Sequence, residues 1–183
     1  SSAASDVYKR QLLRLPEQIE QILENEELFK PVAERFSKAS SIFFIGRGLD
    51  YSISLEGSLK LKEISYIKSE AYAAGELKHG TISLIEPGTP VFAVATQPDL
   101  FEKTLGNIRE VKSRGAYVAA LVGEDCENAG EFSDVAIKVP STLPEYMPSL
   151  NVVPLQLIAY FTAVERGCDV DKPRNLAKSV TVE

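Results

Sequence analysis

The chain has 183 residues, a length typical of one domain with short extensions. Hydrophobic residues make up 44% and charged residues 25%, a globular composition that excludes disorder as the dominant state. The formal net charge is −6 and no dense Lys/Arg stripe occurs, which disfavours general binding to nucleic-acid phosphates.

The amino-terminal part of the chain begins with a polar stretch and continues into two predicted helices. Residues 1–11, SSAASDVYKRQ, show no periodicity that would bury them, so we predict a tail that is disordered or foreign to the native sequence. A proline at a first helical turn, Pro16, followed by apolar residues at helical spacing, predicts a helix to about Glu24. The spacing of Leu28 and Phe36 predicts a second helix.

Apolar runs and helical patterns alternate along the rest of the chain. Buried strands are predicted at 41–45, 90–96, 117–122 and 135–139. Helices are predicted at 51–67, 99–114 and 150–166, the second of them opening with a capping box formed by Asp99 and Glu102. Segment 68–84 is too rich in glycine for one long element. No apolar run approaches the ~20 residues that cross a bilayer, so no membrane segment is predicted.

This alternation predicts an α/β fold, a three-layer sandwich of parallel strands with helices on both faces. Ligand sites in such sheets lie beyond the carboxyl ends of the strands, where the strand order reverses. The loop Gly46-Arg47-Gly48 follows the first strand and precedes a helix, so Arg47 is a candidate substrate-binding residue. Two glycines in a tight turn between a strand and a helix explain the same pattern without any ligand.

The predicted helix 51–67 carries three charged residues at i, i+4 and i+7, namely Glu56, Lys60 and Glu63. At about 100° per residue, they share one face of the helix. A carboxylate beside an ammonium can place one proton acceptor and one positive charge within reach of a substrate. The alternative is a solvated face whose Glu–Lys pair contributes only ~0.3–0.5 kcal/mol.

The chain contains one histidine and two cysteines. His79 lies in the polar sequence ELKHG, which fits an exposed proton carrier, although a lone histidine is often structural. Cys126 lies among acidic residues that oppose thiolate formation, so it is interpreted as an inert thiol. With Cys168, the two cysteines are too few for a disulfide framework and lack the spacing of a zinc site.

The carboxy-terminal segment DKPRNLAKSVTVE has no amphipathic repeat and is compatible with a frayed tail. Its three basic residues, Lys172, Arg174 and Lys178, could instead cover an anionic ligand. A lysine whose pKa is lowered can also form an imine with a ketose.

The sequences GRGLDYSISLEGSLKLKEISYIKSEAYAAGELKHG and DKPRNLAKSVTVE resemble the second sugar-isomerase (SIS) half of the isomerising glutamine:fructose-6-phosphate aminotransferases. The resemblance divides the chain into a SIS domain at 12–168 and an active-site tail at 169–183. It implies a five-stranded parallel sheet of flavodoxin-like topology, a homodimer, a cytoplasmic location and a hexose 6-phosphate ligand. It implies neither a metal nor a cofactor.

The resemblance also implies roles for single residues. Glu63, in LKEIS, corresponds to the base that moves a proton between C1 and C2 of the sugar. Glu56 and Lys60 correspond to residues that line the same site, with Lys60 assisting proton transfer at the oxygens.

Three further positions match family motifs. His79, in LKHG, corresponds to a ring-opening residue that enters the neighbouring subunit's site. Lys178, in NLAKS, corresponds to the lysine that forms an imine with open-chain fructose 6-phosphate, and Ala177 to an adjacent backbone contact.

The expected function is therefore isomerisation of fructose 6-phosphate, as its imine, to glucosamine 6-phosphate with ammonia from glutamine. The family's glutaminase domain and its phosphate-gripping first SIS half have no counterpart in the sequence, and Ser1 stands where the glutaminase begins with cysteine. They are the expected partners, and the domain alone is expected to be inactive or impaired. Two alternatives stay open, a non-catalytic sugar-phosphate-binding module and a deglycase acting on sugar-amine phosphates.

Overall fold

A computed structural model describes residues 2–174 as a three-layer α/β sandwich around one parallel sheet. All four neighbouring strand pairs are parallel, and the order of the strands is β2-β1-β3-β4-β5. The prediction of a five-stranded parallel sheet in an α/β sandwich is confirmed. The strands are β1 (Ser41–Gly46), β2 (Lys68–Ala73), β3 (Pro90–Ala95), β4 (Tyr117–Gly123) and β5 (Val135–Val139).

Helices flank both faces of the sheet. They are α1 (Ser2–Glu24), α2 (Lys30–Ser37), α3 (Leu49–Ser65), α4 (Phe101–Ser113) and α5 (Met147–Glu165). Short 3-10 turns, at Glu26–Phe29, Ala74–His79, Thr81–Leu84, Pro98–Leu100 and Ala129–Glu131, complete the connections.

The core consists of two apolar layers, one on each face of the sheet. Phe44 and Phe92 point to the layer formed with α1, α2, α3 and α5. Their neighbours Phe43 and Val91 point to the other layer, which contains α4 and the 3-10 turns after β2. Because successive side chains of a strand alternate between faces, strands buried on both faces become continuous apolar runs. That is why β1, β3 and β4 could be recognised from the sequence.

Strand β2 was missed in the sequence because its composition is polar. Lys68–Ala73 reads KSEAYA, and within it only Ser69 is buried. The strand lies at the edge of the sheet and pairs with β1 alone, so it has little apolar surface to signal its presence.

The amino-terminal helix is longer than the sequence predicted. Residues 2–11, interpreted as a disordered or foreign tail, form its first turns, and Pro16 lies inside the helix rather than at its start. The side chains at 5–10 are exposed, which explains the missing periodicity, although the ring of Tyr8 packs edge-on against Tyr146 at 6.2 Å. A foreign origin of this stretch stays a prediction.

The predicted capping box at Asp99 and Glu102 is wrong. Asp99 lies in the 3-10 turn Pro98–Leu100, and α4 begins only at Phe101. The residue before the helix is Leu100, and no side chain caps the first turn. Pro98, which presets φ for a tight turn, places the Asp99 backbone ahead of the capping position.

Helix α5 is long and apolar enough to span a membrane by length and composition alone. Half of its apolar stretch is buried inside the domain, however, and it packs against α3 and α2. Leu150, Leu155 and Ile158 belong to the core layer that it shares with those helices. We therefore interpret α5 as a core helix.

The close approach of β1 to α3 requires glycine at position 46. A Cβ there would lie 2.5 Å from the backbone carbonyl of Asp50 and 2.8 Å from the amide nitrogen of Tyr51. We expect Gly46→Ala to lower the free energy of unfolding by at least about 2 kcal/mol in denaturant titrations, because backbone atoms must move to accept the methyl group.

The matched control is Gly106→Ala on α4, where a Cβ meets nothing within 4 Å. This variant should gain about 0.5–1 kcal/mol from helix propensity. Equal effects of the two substitutions would contradict the steric explanation.

Candidate active site

A ligand site was expected at the reversal of strand order between β1 and β3. The buried carboxylate of Asp50 occupies this place instead. Asp50, in the first turn of α3, is 1% exposed. One of its oxygens accepts hydrogen bonds from the amides of Thr96 and Gln97, at 2.7 and 3.1 Å. The other accepts from the Thr96 hydroxyl at 2.7 Å and from the Asn151 side-chain amide at 3.3 Å.

This arrangement occupies two backbone amides that follow β3. Backbone amides after a strand and the first turn of a helix are common anion-binding groups. Burial raises the pKa of the Asp50 carboxyl, while hydrogen bonds from Thr96 and Gln97 act in the opposite direction. The amides of Thr96 and Gln97 are therefore not free to hold an anion.

Arg47, the candidate substrate-binding residue of the same loop, is held by neighbouring elements. Its Nε and Nη2 atoms donate hydrogen bonds to Oδ1 of Asn107 on α4, at 3.1 and 2.9 Å. Its guanidinium also lies against Gly75, where an added Cβ would be 3.0 Å from Nη2. These contacts give Arg47 a structural role, and substrate binding by Arg47 stays a prediction.

The three charged residues of α3 do form one cluster, as their spacing predicts. Nζ of Lys60 lies 2.9 Å from Oε2 of Glu63 and 3.7 Å from Oε1 of Glu56. The three side chains are 37–42% exposed. The hydrogen bond to Glu63 is the main cause of a raised pKa of Lys60, so the ammonium stays protonated at neutral pH.

The cluster lies on the flank of the domain, away from the end of β1. At 1.5 Å per residue, Glu56 is about 10 Å and Glu63 about 21 Å along the axis from the start of α3. Two leucines one turn apart on the same exposed side, Leu55 and Leu59, are 46% and 41% exposed. Charged groups able to move protons thus lie beside apolar surface that α3 leaves uncovered.

His79 ends the 3-10 turn that follows β2. Its side chain is 73% exposed, and Nδ1 lies 2.6 Å from Oε2 of Glu76. The exposure agrees with the predicted environment. Among residues 2–174 its polar contact is with Glu76 and not with the α3 cluster, so its catalytic role stays a prediction.

The two remaining site residues, Ala177 and Lys178, lie outside the described residues. Just before them, Arg174 contacts Tyr66, the residue that follows α3. The sequence did not predict Asp50, Asn151 or Tyr66 as important. A carboxylate in the first turn of a helix was a signal for Asp50, whereas Asn151 and Tyr66 carry no local signal.

An open depression of about 540 Å³ lies at the end of the sheet where β1, β2 and β3 begin, opposite the carboxyl ends of the strands. It is lined by charges of both signs, including Arg35, Lys68 and Glu86, and contains none of the predicted site residues. The chemistry expected of the site is found instead in the α3 cluster.

The strand order 2-1-3-4-5 is that of a flavodoxin-like doubly wound domain, and the helix after β1 carries the Glu-Lys-Glu cluster. Residues 35–166 match the SIS domain family model, and the chain belongs to that family.

Among curated relatives, the chain is 57% identical over 173 residues to a glutamine–fructose-6-phosphate aminotransferase (isomerizing) of Caldanaerobacter subterraneus subsp. tengcongensis. The match covers 94% of this chain and 28% of that protein, so the chain spans just over a quarter of its relative's length.

Two solved structures show the same fold. The C-terminal domain of glucosamine-fructose-6-phosphate aminotransferase from Francisella tularensis is 36% identical, with a TM-score of 0.86 over 90% of this chain and 46% of that chain. A glucosamine-6-phosphate deaminase from Thermotoga maritima is 27% identical, with a TM-score of 0.65 over 97% of this chain and 50% of that chain.

Proposed function

We propose that this chain is the second SIS half of an isomerising glutamine–fructose-6-phosphate aminotransferase and contributes the groups that shift the sugar from ketose to aldose. The observation that carries the proposal is the Glu56–Lys60–Glu63 cluster, in a chain 57% identical to such an enzyme over 94% of its length. The whole protein would act in the cytoplasm on fructose 6-phosphate and deliver glucosamine 6-phosphate for hexosamine synthesis.

In the proposed reaction, ammonia adds to C2 of open-chain fructose 6-phosphate and water leaves, which gives an imine at C2. The Glu63 carboxylate removes a proton from C1, and the electron pair of that C–H bond forms the C1–C2 double bond. The π pair of the C2=N bond moves to the nitrogen, which takes up a proton, so the product is an enolamine. A proton then returns to C2 while the O1 hydroxyl loses its proton, so that C1 becomes the aldehyde and C2 carries the amine. No electrons are gained or lost overall, and one glutamate can act as base and then acid.

Lys60 suits the oxygen side of this transfer. Its raised pKa keeps the ammonium charged, so it can donate a hydrogen bond to an oxygen on which negative charge develops. Glu56, 3.7 Å from the ammonium on the other side, limits the positions that Lys60 can adopt. Lys178 would hold the open-chain ketose as an imine before ammonia replaces it, and the backbone of Ala177 would contact the sugar.

The exposure of the α3 cluster supports a role for partners. Leu55 and Leu59 beside the cluster are exposed in the domain alone, and we propose that the first SIS half covers this side in the whole protein. Covering would exclude water from the cluster and strengthen the interactions of its charged groups with a substrate. The exposed His79 would reach the site of a second subunit in a homodimer, where it opens the sugar ring.

Product analysis tests this proposal against the deaminase alternative, for which the similarity is weaker. A full-length protein containing this chain, given fructose 6-phosphate and ammonia, should accumulate glucosamine 6-phosphate. Release of ammonia from glucosamine 6-phosphate, without net synthesis, would favour a deglycase. Binding without turnover would favour a sensing module.

Ligand binding by the domain itself can be measured through its thermal stability. If the 183-residue chain binds glucosamine 6-phosphate, ligand at 100 times its Kd should add ~2.7 kcal/mol to the free energy of unfolding. Glucosamine without phosphate serves as the matched control and should shift the unfolding temperature less. An unchanged unfolding temperature at millimolar ligand would contradict binding by this domain alone.

A further inference from the structure

The 3-10 turn that carries His79 is fixed to the domain by its own side chains. Ala74 and Leu77 in this turn are both 0% exposed and belong to the apolar layer on the α4 side of the sheet. Nearer the surface, Nζ of Lys78 lies 3.8 Å from Oε1 of Glu110 on α4. The direction in which the His79 side chain leaves the backbone is therefore set by the fold.

The acidic residue of the same turn, Glu76, lies three residues before His79. Because a 3-10 helix has three residues per turn, side chains at i and i+3 lie directly above one another. Nδ1 of His79 accordingly lies 2.6 Å from Oε2 of Glu76, although the two side chains are 73% and 66% exposed. This contact follows from the geometry of the turn and does not require burial.

The contact determines which ring nitrogen of His79 carries the proton. An ionised carboxylate only accepts hydrogen bonds, so the proton of a neutral imidazole beside Glu76 lies on Nδ1. The lone pair is then on Nε2, which has no hydrogen-bond partner among the described residues. Nε2 is thus available to accept a proton from a molecule outside the domain.

We propose that Glu76 is a positioning residue, which holds the His79 ring in the Nδ1–H tautomer and directs the Nε2 lone pair toward a sugar phosphate. A carboxylate that fixes the tautomer and orientation of an imidazole recurs in sites where histidine acts as a base. The proposal rests on the proposed function through the ring-opening role of His79.

The tautomer matters for the chemistry of ring opening. Nε2 takes the proton of the anomeric O2 hydroxyl of cyclic fructose 6-phosphate, and an electron pair of O2 forms the C2=O2 double bond. The C2–O5 bond breaks with its electron pair on O5, and the proton passes from Nε2 to O5. The imidazole returns to its starting state and no electrons are gained or lost. A neutral ring with its proton on Nε2 would have no lone pair to offer the hydroxyl.

The tautomer can be measured by NMR in the 183-residue chain without any sugar. Because the chain contains one histidine, isotope labelling of histidine nitrogen gives one pair of ring signals. At alkaline pH, where an imidazole is neutral, Nδ1 should show the shift of a protonated nitrogen and Nε2 that of an unprotonated one. In Glu76→Ala both shifts should move toward those of free histidine, in which the two tautomers exchange.

Glu110→Gln is the matched control for this measurement. It removes a carboxylate next to the same turn, at Lys78, without touching the His79 ring. Its ring-nitrogen shifts should equal those of the wild type. Wild-type shifts in Glu76→Ala, or a wild-type ring protonated on Nε2, would overturn the proposal.

A double-mutant cycle in a full-length protein containing this chain connects the tautomer to the reaction. Glu76→Ala should lower kcat with fructose 6-phosphate by about tenfold, the lower end of what orienting partners contribute. In a His79→Ala background the same substitution should change kcat little, because Glu76 acts through the ring. Equal losses in the two backgrounds would indicate a merely structural role and overturn the proposal.

The outcomes distinguish this proposal from the proposed function. If His79→Ala leaves kcat unchanged while the ring shifts still depend on Glu76, the ring-opening role of His79 is wrong and the positioning of its ring by Glu76 is supported. If His79→Ala lowers kcat and the ring shifts do not depend on Glu76, the role of His79 is supported and the present proposal is overturned.

Discussion

Replacing Glu63 by glutamine in a full-length protein containing this chain is expected to reduce ketose-to-aldose isomerisation by about 10²–10⁴-fold, the usual contribution of a positioned base. In the wild type, Nζ of Lys60 lies 2.9 Å from the Glu63 carboxylate. The glutamine side chain has the same size and can still accept a hydrogen bond from Lys60, but it cannot take the C1 proton. Glutamine hydrolysis takes place elsewhere in the proposed enzyme and should continue. Glucosamine 6-phosphate formation and glutamate release are measured side by side.

The chain offers a matched control for this substitution on another helix. Glu34 forms a comparable ion pair with Lys38 on the surface of α2, at 2.7 Å, outside the candidate site. Glu34→Gln should leave both activities close to the wild-type values, because it changes the same chemistry without touching the site. Isomerisation that survives in Glu63→Gln would remove Glu63 from its proposed role.

The sequence was most informative where the physical signal is local. Strands β1, β3 and β4 are buried on both faces and therefore form continuous apolar runs, which single out 41–45, 90–96 and 117–122. The α3 cluster could likewise be predicted, because residues at i, i+4 and i+7 share a face on any helix. Predicting this cluster required no information about the elements that pack around α3.

Other features depend on residues far apart in the sequence and could not be predicted. Asp50 accepts its hydrogen bonds from residues 46, 47 and 101 positions away, so its role emerges only when β3 and α5 pack beside α3. Tyr66 meets Arg174 across 108 positions. The expectation of a ligand site at the strand-order reversal relied on a general rule for open sheets. That rule does not say whether a side chain of the domain, here Asp50, already accepts hydrogen bonds from the amides at that place.

Substituting Asp50 should strongly destabilise this domain. Removing the carboxylate in Asp50→Ala leaves the amides of Thr96 and Gln97 and the Thr96 hydroxyl without their acceptor in a buried position. Each unsatisfied buried group costs about 1–3 kcal/mol, so we expect a loss of about 3–5 kcal/mol in the free energy of unfolding. Because domains are stable by only ~5–15 kcal/mol, urea titrations should show a much lower midpoint.

Asp99→Ala provides the matched control, since Asp99 is an exposed carboxylate in a short turn. Its loss should change stability by less than about 0.5 kcal/mol. Comparable losses in the two variants would show that the hydrogen bonds to Asp50 contribute nothing beyond an ordinary surface carboxylate.

The pH dependence of the Asp50 contribution follows from its raised pKa. Because burial raises the folded-state pKa above the ordinary 3.8, the folded state holds the Asp50 proton more tightly than the unfolded state does. The corresponding stability is fully present below pH 3.8 and is lost as the pH rises through the folded-state pKa. Wild type should therefore exceed Asp50→Asn, which does not titrate, by a larger margin at pH 4 than at pH 7. A margin that grows toward pH 7 would show instead that the hydrogen bonds from Thr96, Gln97 and Asn151 outweigh burial and favour the carboxylate.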